Sequence, residues 1–355
     1  MSSEGDFRSL QEQILAAAAA HRPLRIHAGG SKDFYGGRLE GEPLDVSALS
    51  GIAHCEPTEL VISARAGTRL AEIERVLARN GQMLAFEPPG FDGRATVGGA
   101  VASGLSGPRR PYCGPLRDFV LGIEMIDGRG ERLRFGGKVI KNVAGFDVSR
   151  LMAGSLGTLG VLTEITLKTV PCPRAECTLR LEMDQPKALE SMTLWATRPL
   201  PLSATVWHEG LLHVRLSGAD AAVRAAREAL GGEIVENAEE YWEGIREQRL
   251  AFFAAAPELW RVSLPARSPV LPVPGPTLIE WGGALRWLCG PRDGSALRLL
   301  ATRSGGHATL YRAPVKPPEG AFQPLSSAML SIHKRLKAAF DPDGLFNRGR
   351  LHPDL

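Results

Sequence analysis

The sequence is poor in the features that would assign it quickly. It carries almost no net charge: 42 Lys and Arg stand against 39 Asp and Glu, a formal +3. Nucleic-acid binders present a strongly basic face, so that class is excluded. Long apolar runs are missing as well. The longest early one, Ile14 to Ala20, has seven residues, where about 20 cross a bilayer, so no membrane span is expected. Cysteine is scarce. Cys55, Cys113, Cys172, Cys177 and Cys289 show no repeated close spacing, whereas cluster-binding runs place several cysteines two or three residues apart. No iron–sulfur cluster and no metal site is expected in this chain. Its first residues are acidic where a secretory signal would be basic, which makes the cytoplasm the expected compartment.

What the sequence has in quantity is glycine and proline, 40 and 26 in 355 residues, with no collagen-like period. That combination implies many tight turns. The length suggests two or three domains and suffices to bury a core without disulfides or a structural metal.

The periodicities set out an order of elements. A helix is expected over 8–21, a strand at Leu24–Ala28, the turn Gly29-Gly30-Ser31-Lys32, and strands at Pro43–Ser47 and Leu60–Ala66. A helix follows from an N-cap at Thr68, with Leu70, Ile73 and Leu77 on one face and Gly81 as its stop. After a strand at Met83–Phe86, residues 88–114 read as one long glycine- and alanine-rich loop, the kind usually kept for function. Phe119–Ile126 and Glu131–Phe135 form a hairpin signal around Asp127-Gly128-Arg129-Gly130. A short helix at Val148–Met152 and a glycine cluster lead into the strand Val161–Val170. From 174 to 322 two hairpins, Ala204–Trp207 with Leu212–Leu216 and Leu278–Trp281 with Ala284–Leu288, alternate with helices at 219–230 and 239–254. That predicts an antiparallel sheet with helices on one face. A final helix starts at Ser326, with Met329, His333, Leu336 and Phe340 at helical spacing.

A nicotinamide-binding Rossmann site fails on its own requirements. Gly29-Gly30 follows a strand but lacks the third glycine and the helix, and Gly154, Gly157 and Gly160 precede a strand. The three separated glycine clusters fit one extended anionic cofactor, since unobstructed backbone amides approach a pyrophosphate closely. Glycines also simply make turns, and composition leaves both readings open.

Longer motifs narrow this. PTELVISARAGTRLAEIE (57–74), GQMLAFEPPG (81–90), ATVGGAVASGLSGPRRP (95–111), RDFVLGIEMIDGRGERLRFGG (117–137), KNVAGFDVSRLMAGSLGTLGVLTEITLK (141–168), GGHATLYRAP (305–314) and LFNRGR (345–350) span the chain nearly end to end. They resemble the FAD-binding superfamily of vanillyl-alcohol oxidase and p-cresol methylhydroxylase and, within it, the E-subunit family of bacterial glycolate oxidase. The resemblance implies an α+β fold: a two-subdomain FAD-binding domain over 1–172, an antiparallel α+β cap over 173–322, and a helix and tail over 323–355 returning to the first domain. It also implies FAD-dependent oxidation of a small 2-hydroxy acid, glycolate to glyoxylate. The implied partners are a larger flavin subunit and an iron–sulfur subunit, in a complex that can lie peripherally at the inner membrane. Two roles follow from it: electron transfer through this chain's own flavin, or a non-catalytic FAD-holding and assembly subunit with the chemistry on the larger one.

By the same resemblance Gly29, Gly30, Ser31 and Lys32 form the first pyrophosphate turn. Pro88, Thr96, Val97, Gly98 and Gly99 belong to the second element, with Ala102, Ser103 and Gly107 along the isoalloxazine. Gly154, Ser155, Gly157, Gly160 and Val161 form the third, and Asn347 returns from the tail, where Arg348 replaces the family's usual proline. Covalent FAD uses a His in the first loop or a Cys before the second. Neither residue type is there, so FAD is expected to be non-covalent, with Cys113 lying later in the chain.

Candidates for the chemistry are few. Arg109 and Arg110 suit a carboxylate substrate or an FAD phosphate, or equally a solvated or docking pair. Lys141 and Asn142 are placed either near the flavin or at a helix start. His208, His213, His307 and His333 are scattered, where catalytic relatives carry a His-rich stretch. His307 is the base or ligand candidate among them, set against an ordinary hydrogen-bonded role. No catalytic base is assigned.

Overall fold

The computed structural model describes residues 3–137, 147–290 and 292–355; Lys141 and Asn142 lie outside them. Two antiparallel sheets carry the architecture. The first has five strands in the order Ile52–Glu56, Val61–Arg65, Val161–Lys168, Val120–Ile126 and Arg132–Gly136. Every residue of Val120–Ile126 is buried, which is why that strand reads as a continuous apolar run instead of alternating. The helix Leu70–Arg79 turns Leu70, Ile73 and Leu77 into this core, as the spacing of three and four requires. Its N-cap is Arg69, one residue later than the sequence suggests. Thr68 instead exchanges hydrogen bonds with Gly51, at 2.9 and 3.1 Å.

The stretch that reads as a loop contains two short helices, Val97–Ser103 and Arg110–Cys113. Glycine carries a low helix propensity, so the first is invisible to pattern. Tertiary packing overrides that: a Cβ on Gly98 would stand 2.8 Å from the Ala66 Cβ, and only glycine lets the helix lie this close. Thr96 caps it by accepting from the Gly99 amide, and Gly104 ends it with a φ of 65°.

The second sheet has eight strands, all antiparallel, from Glu233–Ile234 at one edge to His307–Arg312 at the other. Its alternating residues feed two faces. Val214, Leu216, Ile279, Val262 and Leu310 meet the helices Gln185–Trp195, Asp220–Leu230 and Gly294–Arg303. Val206, Leu278, Leu285, Trp287 and Tyr311 face the other way, onto Trp242, Ile245, Phe252 and Phe253 and onto Tyr35, Leu105 and Leu156 of the first region. Helices therefore cover both faces, not one. The expected helix over 239–254 is broken into Ala238–Arg246 and Ala251–Ala254.

The chain closes on itself. From its cap at Ser326, the helix Ser327–Phe340 packs on the first core through Leu336 and Phe340, while Met329 is 45% exposed and leaves the expected stripe incomplete. Beyond it, the backbone of Leu345 and Asn347 pairs with Leu24 at 2.8 and 2.9 Å, and Leu345 and Phe346 are fully buried. Lys337 pins this return. Its buried ammonium donates to Asp341 at 2.7 Å, to the Thr158 carbonyl at 2.6 Å and to the Phe346 carbonyl at 2.8 Å. Among the described residues no helix is long and apolar enough to cross a membrane.

Removing one member of a buried ion pair strands the other, at a cost of about 3 kcal/mol. Lys337→Met should lower stability by about that much, read as a shift of the urea midpoint followed by tryptophan fluorescence. An unchanged midpoint would show that the clasp does not hold the tail.

Candidate cofactor groove and adjoining cavity

Three backbone segments converge where the sequence motifs predict. The turn after Leu24–His27, the helix Val97–Ser103 and the turn 156–160 line one groove, completed by Asn347 and Arg350. Of the residues expected to hold a cofactor, Gly29, Gly30, Ser31, Lys32, Thr96, Gly98, Gly99, Ala102, Ser103, Gly157, Gly160 and Asn347 line it. The others stand behind or beside it. Val97 and Val161 are buried in the cores. Gly107 packs on Glu87, and Gly154 opens into a neighbouring cavity. Pro88 and Ser155 are buried without lining either space. His27, Ala66, Leu156 and Arg350 line the groove without having been expected to.

One side chain joins two walls. Asn347 Oδ1 accepts from the Ile26 amide at 2.9 Å, and Nδ2 donates to the Leu156 carbonyl at 2.6 Å. Arg350 braces the first turn from below, donating to the carbonyls of Gly37, Lys32 and Asp33. Burial pushes its pKa down to about 10. The glycines serve packing as much as access. A Cβ on Gly29 would collide with the Arg94 carbonyl, one on Gly160 with Met125, and one on Gly157 would stand 2.7 Å from Asn347 Nδ2.

The groove suits an anion. Lys32 Nζ donates to the adjacent Ser31 Oγ at 3.3 Å and stands 5.3 Å from the Phe91 ring centroid. Desolvation, partly offset by Glu247, lowers its pKa to about 8. A poorly solvated ammonium among free backbone amides gains by taking up negative charge. The groove has a volume of 120 Å³.

A second cavity of 470 Å³ adjoins the groove, and Ser103 lines both. Arg110, Arg117, Arg261, Trp281 and His307 line it, with Tyr35 and the glycines 104, 154, 305 and 306. His307 has an exposed edge. Partial desolvation, then the charges of Arg261 and Arg110, hold its imidazole below the ordinary value. Arg109 points elsewhere. It is bound by Glu87 and by Glu176, the latter at 2.7 Å, and Arg215 joins the same Glu87 carboxylate at 2.8 Å. Both acceptors are engaged by arginines, so Arg109 ties its segment to the second sheet and lines neither the groove nor the second cavity. Cys113 donates to the Ala85 carbonyl at 3.2 Å, and burial pushes its thiol up to about 11. It lines neither space. Among the described residues no group of His, Cys, Asp and Glu is arranged to hold a metal ion.

Comparison with known proteins agrees with this geometry. Residues 7–136 match the family described as FAD binding domain. Over 356 aligned residues the chain is 47% identical to glycolate oxidase subunit GlcE of Escherichia coli (strain K12), covering all of both chains. Glycolate oxidase subunit GlcD of Bacillus subtilis (strain 168) is 31% identical over 47% of this chain and 36% of its own. D-lactate dehydrogenase of Archaeoglobus fulgidus is 33% identical over 40% of this chain and 32% of its own. Among solved structures, alkyldihydroxyacetonephosphate synthase superposes with a TM-score of 0.67 over 96% of this chain and 75% of that one, at 14% identity, a likeness of fold alone. A full-length relative at that identity, a matching cofactor domain and a groove formed by the motif glycines point one way: the chain belongs to the FAD-binding family of the glycolate oxidase subunit GlcE, and FAD is its cofactor.

Proposed function

We propose that this chain is a flavin-bearing subunit of a glycolate-oxidising complex, in which electrons from glycolate reach its FAD and leave for an iron–sulfur partner. The observation that carries the reading is the adjacency of the two spaces: a glycine-lined, Lys32-bearing groove and a cationic cavity sharing Ser103. Oxidising glycolate to glyoxylate removes two electrons and two protons, and FAD is the group that takes up the electrons.

The chain's own residues do the rest. Lys32 and the turn Gly29–Ser31 would hold the anionic part of the cofactor, with the small residues Gly98 and Gly99 letting it approach the second wall, non-covalently, since no His or Cys stands at the attachment positions. Asn347 keeps the first and third walls in register. Arg110 offers a guanidinium to a substrate carboxylate, and His307, kept neutral at neutral pH, offers a ring nitrogen to a hydroxyl proton. A larger flavin subunit completes the complex.

Two measurements test this. The purified chain should show the visible absorption bands of a flavin, and anaerobic glycolate should bleach them. Bands that bleach only after the partner subunits are added would move the chemistry onto the partner and leave this chain as an FAD-holding and assembly subunit. Absence of bands after FAD is supplied would remove the reading altogether.

Lys32 predicts a pH dependence. Its ammonium is charged below about 8 and neutral above, and only the charged form attracts the pyrophosphate. FAD affinity should therefore be full near about pH 7 and fall toward about pH 9.5. Lys32→Met should bind about tenfold more weakly near neutrality and lose most of that pH dependence. Flavin fluorescence titration reads both, and a Lys32→Met variant with unaltered affinity and slope would sink the assignment.

A further inference from the structure

Arg109 and Arg110 are neighbours in sequence with opposite surroundings. Arg109 is neutralised by Glu87 and Glu176. Arg110 turns into the second cavity, where no Asp or Glu lines the wall. There it meets Arg261, which arrives from the strand Leu259–Ser263 about 150 residues later. Both guanidiniums lie over one ring: the Arg110 Cζ is 4.3 Å and the Arg261 Cζ 4.9 Å from the Trp281 ring centroid. Trp281 is itself fixed, its indole N–H donating to the Gly107 carbonyl at 3.1 Å. Among the described residues no carboxylate forms an ion pair with either arginine, and Arg110's pKa is depressed by burial and then by Arg261, with Asp118 only partly offsetting them.

Like charges held together on an aromatic plate are relieved by an anion between them. A guanidinium held over an aromatic ring keeps N–H groups able to grip a carboxylate in two places, and Arg261 shares one of its contacts with the Tyr35 hydroxyl. The surrounding glycines 104, 154, 305 and 306 keep the space open, and His307 stands at its mouth. At 470 Å³ the cavity exceeds what a two-carbon acid fills and suits a small ligand with a side chain.

We propose that Arg110 and Arg261 form a carboxylate clamp for a small 2-hydroxy or 2-oxo acid on this chain, with Trp281 as the plate that sets their spacing. This deepens the flavin reading and rests on it, because the ligand would lie beside the groove across Ser103. Arg261 becomes the substrate-positioning partner that Arg109 resembles in sequence but not in space.

The test uses the full chain loaded with FAD and oxalate as a carboxylate probe that cannot be oxidised like glycolate. Oxalate should perturb the flavin spectrum and release or absorb heat on binding. Arg261→Gln and Arg110→Gln should each raise the oxalate Kd by about tenfold or more, while FAD content stays at the unmutated level. Arg261→Lys, which keeps the charge but loses the fork, should fall between. Arg249→Gln, an exposed arginine paired with Glu243 and outside the cavity, should leave the Kd unchanged. No oxalate binding to the FAD-loaded chain, or binding indifferent to both substitutions, overturns the clamp. A chain that takes up no FAD would instead overturn the flavin reading, and calorimetry of oxalate on that same chain still decides the clamp.

Discussion

A single carboxamide holds the groove together. Asn347 lies near the end of the sequence, yet it accepts from the third residue of the first strand and donates to a turn before the last strand of the first sheet. Its two bonds add to the backbone pairing of the tail with Leu24 and to the shared core of Leu24, Leu44 and Val161 beneath the groove. The side chain can do this because the tail is immobilised on both sides: Lys337 gathers the Thr158 and Phe346 carbonyls around Asp341, and Arg350 fastens the opposite flank to residues 32, 33 and 37. Buried donors meeting carbonyl acceptors give this region its definition.

The second sheet is held differently, by charge. Glu87, in the left-handed region at φ 46°, receives Arg109 from its own domain and Arg215 from the cap strand Leu211–Gly218. Arg215 also stands over Trp242 at 4.8 Å. A few residues on, Glu247 accepts from the amides of Gly90 and Phe91, so the cap grips the segment just before Thr96 by its backbone. Together with the aromatic cluster of Tyr35, Trp287 and Tyr311, these contacts make the cap a fixed wall of the second cavity.

Much of the fold was legible because the signals are local. Helix Leu70–Arg79, the hairpin Val120–Gly136, both cap hairpins and the Ser326 cap follow from spacing and turn chemistry. The helix Val97–Ser103 was not, since its stability comes from Gly98 meeting Ala66 across the sheet, a contact no window of sequence contains. The groove glycines were readable through long motifs whose resemblance carried their role. Several of those glycines proved to be demanded by protein packing as much as by ligand approach. In the second cavity the sequence pointed to Arg110 and His307 and also to Arg109, which faces the other way. Arg261 carried no local mark at all. It is an ordinary alternate residue of a strand, and only the pairing of Leu259–Ser263 with its neighbours brings it over Trp281.

The late position of Asn347 has a consequence for biogenesis. Synthesis delivers the chain from its N-terminus, and domains fold as they emerge. The first five-stranded sheet is complete once residue 168 has appeared, yet the carboxamide that bridges two walls of the groove follows only at residue 347. The groove therefore has its full lining only once the tail, with Asn347 and Arg350, has folded back onto Leu24.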